Sequence, residues 1–157
     1  MILDDFKMEI YELAKKHNVT IVKQRFKSAA GRCWISERKI KIPKINSLYN
    51  AGVAVHEIAH VILNINDSVP EYLEEYEVEK WTISFLKKHN MHIDYKADFE
   101  DYVNHAKLYV STRIEKYKKD HAEKKIRKRV LKWIGAETDK YINHENNTHT
   151  NISGFLK

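Results

Sequence analysis

Residues 53–62 read Val-Ala-Val-His-Glu-Ile-Ala-His-Val-Ile, and His56, Glu57 and His60 are the residues whose types and spacing could do chemistry. On a helix, residues four apart stand one turn above each other, so two imidazoles can reach a single ion. Glu57 lies about 100° round from His56. It is close enough to take a proton from a water on that ion. Zinc suits such a pair, and it lowers the pKa of its water toward ~7. With nine His and fourteen Glu in 157 residues, coincidence produces this pattern in roughly 4% of such chains. Besides Glu57, no charged residue occurs between Lys44 and Asp67. Leu48, Ala51, Val55, Ile58 and Ile62 fall on the face opposite the histidines, so the helix is expected to be buried with its polar stripe inward. A buried His-Glu-His stripe without a cation would be costly.

The third ligand must come from elsewhere. A metzincin needs Gly at 63 and His at 66, and Leu63 and Asn66 exclude that class. The remaining source is the acidic run Glu71-Tyr-Leu-Glu-Glu-Tyr-Glu-Val-Glu-Lys-Trp81. Within it Glu77 lies four residues from both Leu73 and Trp81 and so projects from an apolar stripe. Glu74 and Glu75 project to either side, and Glu79 from roughly the opposite face. A carboxylate on a core-facing stripe calls for a cation. Glu77 is therefore the first candidate, with Glu79, His89, His92 and His105 as alternatives.

The pairing of His56-Glu57-Ile-Ala-His60 with Glu75-Tyr-Glu77-Val-Glu79-Lys-Trp81-Thr82 resembles the ImmA/IrrE family of bacterial and phage metallopeptidases. The resemblance spans about residues 40–86. Val78 and Thr82 depart from the family's usual Ala, though both are small. It implies a compact zincin-like fold, Zn2+ as cofactor, Glu77 as third zinc ligand, and cleavage of a protein substrate such as a repressor of a mobile element. Beyond residue 90 it covers nothing.

The elements that must position these residues are legible from periodicity. A helix starts near Asp4 or Asp5 with Phe6, Ile10, Leu13, Ala14 and His17 on one face. Residues 19–26 read as a strand. Residues 32–36 and 39–42 read as a hairpin turning at Ser36-Glu37-Arg38. Lys39–Ile42, ending at Pro43, is expected to be an edge strand to which an extended substrate could pair. The histidine helix runs from about Ser47 to Leu63, and the glutamate helix from Ser68–Glu71, at capping-box spacing, to His89-Asn90. Two more helices carry Phe99, Tyr102, Val103, Ala106, Val110 and Ile114, then Ile126, Val130, Trp133 and Ile134, with Gly135 as C-cap. Trp34, Trp81 and Trp133 are expected to fill the core. The expected class is α+β: a small, mostly antiparallel sheet with the two site helices. Residues 1–142 form one domain with its core in about 1–90 and a helical extension over about 95–142; a disordered tail follows over 143–157.

Composition bounds the rest. Cys33 is the only cysteine, so no internal disulfide can form, and a cytoplasmic setting is expected. No apolar run is long enough to span a bilayer, and residues 1–10 lack the features of a secretory signal. The net charge of +6 is concentrated: between Arg113 and Lys132 ten Lys/Arg face Glu115, Asp120 and Glu123, a local excess of +7. That segment raises nucleic acid as an alternative partner, against a solvated face or a dock for an acidic protein. An oxyanion-stabilising group is expected among Tyr72, Tyr76, Tyr95, Tyr102 and His105. The expectation is a zinc metallo-endopeptidase with His56, His60 and Glu77 on the metal and Glu57 as base.

Overall fold

The computed structural model describes residues 2–22 and 30–136. Helix α1 spans Leu3–Lys16. Asp4 and Asp5 in its first turn and Lys15 and Lys16 in its last complement the helix dipole. Phe6, Ile10 and Ala14, one turn apart, are its buried residues. Strand β1, Thr20–Val22, follows; positions 23–26 of the expected longer strand lie outside the described residues. Strands β2, Arg32–Trp34, and β3, Lys39–Lys41, form the expected hairpin with Cys33 opposite Ile40.

The sheet differs from expectation in two ways. β1 pairs with β3 in parallel, Ile21 opposite Ile40, while β2 pairs with β3 antiparallel. The strand order is β1-β3-β2. The sheet is therefore mixed rather than mostly antiparallel, and Lys39–Lys41 is its centre rather than its edge. Alternating lysines show that one face of a strand is wet, but not how many neighbours the strand has. Ile40 is fully buried. Pro43 falls beyond the last paired residue, where its missing N–H costs the ladder nothing.

Helix α2, Leu48–Leu63, packs on β2, β3 and α1. The Ser47 hydroxyl caps it by accepting from the Asn50 N–H at 3.2 Å. Asn64, in the left-handed region at φ 42°, ends it. Helix α3, Glu71–Lys88, begins after Pro70, whose carbonyl accepts from the N–H groups of Leu73 and Glu74. A short α4, Met91–Asp94, leads into α5, Lys96–Asp120. Helix α6, Lys128–Ile134, ends at Gly135, whose φ of 73° suits a residue without a Cβ.

The described residues gather into two compact units, one of residues up to Asn66 with Glu77–Asn104, the other of Asp67–Tyr76 with residues 105–136. Helices α3 and α5 are unbroken and supply a stretch to each. The first unit holds the sheet and buries Phe6, Ile10, Ile40, Leu48, Ile58 and Leu86. The second is built around Tyr72, Tyr76, Val110, Ile114, Ile126, Val130 and Leu131, with Trp133 packed against them. Trp34 and Trp81 lie half-buried. The fold class is α+β. The expected tail, 143–157, lies outside the described residues. No helix among the described residues is long and apolar enough to cross a membrane.

Candidate metal centre

Helix α2 is buried almost throughout from Ala51 to Val61, so its polar stripe is carried inward with it. His56, Glu57 and His60 are 9%, 8% and 7% exposed. The two Nε2 atoms stand 3.1 Å apart, and the rings meet edge to face. Two nitrogens each ~2.0–2.1 Å from one tetrahedral ion would be about 3.3 Å apart. The pair is therefore spaced as ligands of a single ion.

The third group is Glu75. Its carboxylate and the ring nitrogens of His56 and His60 include one atom each that lie within 4.8 Å of one another. Glu77, the expected ligand, is half-buried and lies outside this group; His89, His92 and the exposed His105 also lie outside it. The reason lies in which stripe of α3 faces inward. Tyr72, Glu75, Tyr76, Val78, Glu79, Thr82 and Leu86, at helical spacing, are the buried residues, whereas Leu73, Glu77 and Trp81 are only half-buried. The most hydrophobic stripe in the sequence was not the core stripe. Two carboxylates occupy the core stripe, which makes it look polar.

Glu79, expected on the opposite face, is 5% exposed. Its Oε1 lies 3.0 Å from His56 Nδ1, and its Oε2 accepts a 3.0 Å hydrogen bond from the Tyr102 hydroxyl. A carboxylate on Nδ1 fixes the imidazole's orientation and leaves Nε2 for an ion, a common support for metal-bound histidine. Burial first, and the Glu79 charge next, hold the Tyr102 hydroxyl well above its ordinary pKa, so it remains a donor. Tyr102 is thereby engaged as a prop. Its ring rests on α2 at Gly52, where a Cβ would come within 2.6 Å of ring carbon Cδ2. The Thr82 hydroxyl donates back to the Val78 carbonyl at 2.9 Å, which satisfies it inside the core.

A second support reaches Glu75. The Tyr109 hydroxyl donates to Glu75 Oε1 at 3.3 Å and accepts from Arg113 at 2.7 Å. Burial and the Glu75 charge raise the Tyr109 pKa to about 12. Glu57 is held differently. The backbone of Gly31, at the head of β2, lies so close that a Cβ there would come within 2.7 Å of Glu57 Cδ. Among the expected oxyanion groups, Tyr72 and Tyr76 belong to the second unit's core, Tyr95 is half-buried and His105 is exposed.

Sequence reasoning did not single out Glu75, and it gave no role at the site to Gly31, Tyr109 or Arg113. A glycine at the head of a strand was the one available signal. Comparison of the chain with protein-family models, with curated proteins and with solved structures gives no match. Among the described residues, His56, His60 and Glu75 form a group that could hold a metal ion, with the buried Glu79 carboxylate beside His56.

Proposed function

We propose that this chain is a zincin-like metallo-endopeptidase, as the resemblance to the ImmA/IrrE family suggests, with His56, His60 and Glu75 as metal ligands and Glu57 as general base. The observation that carries this reading is the convergence of those three ligand groups beside a buried glutamate. Two imidazoles and one carboxylate form the donor set of a catalytic zinc site with an open position. Zinc held there supplies Lewis acidity, activating water near neutral pH and polarising the scissile carbonyl.

The chain's own groups supply the rest. Glu57 takes a proton onto its carboxylate as the water oxygen bonds to the peptide carbonyl carbon. It then delivers that proton to the departing amide nitrogen as the C–N bond breaks. Burial keeps Glu57 from being hydrated out of reach, and the Gly31 backbone limits where its carboxylate can lie. Glu79 and Tyr102 keep His56 in one orientation. An extended substrate would add to β2, an edge of the sheet among the described residues; Gly31, the residue just before it, adjoins Glu57.

Metal analysis of unchelated protein should find one equivalent of zinc, lost in His56→Ala, strongly reduced in Glu75→Ala and retained in Glu77→Ala. Glu57→Gln should keep the metal and lose hydrolysis of an unfolded protein substrate by roughly 10²–10⁴-fold. No stoichiometric metal in the wild type would end this reading.

A second reading draws on the C-terminal segment. Lys124, Lys125, Arg127, Lys128, Arg129 and Lys132 are exposed while Ile126, Val130 and Leu131 are buried, so the cations form the outer face of a folded structure. Such a face would bind nucleic acid through phosphates. A mobility shift that disappears as salt rises supports it, and no shift at low salt removes it.

A further inference from the structure

We propose that Tyr109 and Arg113 are positioning residues for the metal ligand Glu75, so that the C-terminal helices, which lie beyond the family resemblance, help to build the metal centre. This rests on the metallopeptidase reading above.

Glu71 and Glu75 are one turn apart on α3, and Tyr109 and Arg113 are one turn apart on α5. The two turns meet in opposite directions: Glu75 pairs with Tyr109, and Arg113 Nε lies 3.4 Å from Glu71 Oε1. Arg113 Nη2 also donates to the Tyr109 hydroxyl at 2.7 Å. Accepting from a cation occupies that oxygen, and the hydroxyl's single proton goes to Glu75 Oε1. A donor polarised in this way is a stronger one. Arg113 is itself held in place, paired with Glu71 and with its guanidinium carbon 4.6 Å from the centre of the Tyr109 ring.

A glutamate that ligates an ion must give up rotamer freedom. Part of that cost is met before the ion arrives when one carboxylate oxygen is already tied to a fixed donor. The arrangement parallels the Glu79–Tyr102 support of His56, but from a different stretch of α5. It also gives Arg113, the first of the ten cations, a task at the site rather than at the surface.

The test uses the full chain and two readouts, zinc affinity by competition with a chromophoric chelator and melting temperature in excess chelator. Tyr109→Phe keeps the ring and removes the hydroxyl; it should bind zinc ~10-fold or more weakly while melting within about 2 °C of wild type without metal. Arg113→Gln should weaken binding by a smaller factor, and the double variant should be no worse than Tyr109→Phe, because the two act in series. Lys116→Ala, which removes a cation 2.9 Å from Glu71 instead, should leave affinity unchanged. Wild-type affinity in Tyr109→Phe, or in Arg113→Gln should the first fail to fold, overturns the proposal. So does an equal loss in Lys116→Ala, which would reduce the effect to net charge. A wild-type protein that binds no zinc overturns the metallopeptidase reading and this inference with it; tight zinc binding in wild type and Tyr109→Phe alike removes this inference alone.

Discussion

At the scale of single residues, each group at the site is placed by a neighbour that lacks an obvious chemical signature. His56 is backed by Glu79, Glu75 by Tyr109, and Glu57 by a residue with no side chain at all. The last contact gives a sharp expectation. In Gly31→Ala the new methyl group meets the end of the flexible Glu57 side chain rather than rigid backbone, so the carboxylate can swing aside at little cost in stability. Stability in urea should fall by less than about 1 kcal/mol and zinc content should not change. Hydrolysis should drop by at least ~10-fold, because a base moved by about 1 Å no longer reaches its proton. Full activity in Gly31→Ala would show that Glu57 acts from another position.

At the scale of elements, α2 and α3 carry the proposed ligands, and their faces are set by packing. Helix α2 is uncharged apart from Glu57 between Lys44 and Asp67, so burial was readable from composition, as was its Ser47 cap. The inward stripe of α3 was hard to read because it interleaves Glu75 and Glu79 with Tyr72, Tyr76, Val78, Thr82 and Leu86, whereas Leu73 and Trp81, which bracket Glu77, are only half-buried. The close approach of the Tyr102 ring to Gly52 makes a second prediction. Unlike Glu57, this ring is fully enclosed and cannot step aside, so Gly52→Ala should destabilise the fold by about 1–3 kcal/mol, read as a lower urea midpoint. The same displacement would loosen the Tyr102–Glu79 bond and lower zinc affinity. A Gly52→Ala protein as stable as wild type would mean that the ring has room to move.

At the scale of the whole molecule, the metal is expected to contribute to folding stability. The proposed ligands are residues 56, 60 and 75, which an unfolded chain does not hold together. Zinc at 100 times its dissociation constant should therefore add ~2.7 kcal/mol, raising the melting temperature by several degrees. Excess chelator should reverse the change. A melting curve indifferent to both would show that the folded state does not bind metal preferentially. The charge asymmetry also resolves at this scale: Glu71 pairs with Lys116 and Arg113, joining part of the acidic segment to part of the basic one.

The sequence alone determined the α+β class, the extents of α2 and α3, the hairpin, and that His56, Glu57 and His60 share one buried helix. These are properties of one continuous stretch, where periodicity, caps and turn residues act over a few positions. Tertiary structure decided whether Glu75, Glu77 or Glu79 would meet the histidines, that Lys39–Lys41 lies inside the sheet, and that Tyr102, Tyr109 and Gly31 stand behind the site. Three carboxylates at every second position of one helix are chemically alike, and rotation of that helix by packing selects among them. No local pattern encodes that rotation, because it is set by side chains far away in the chain.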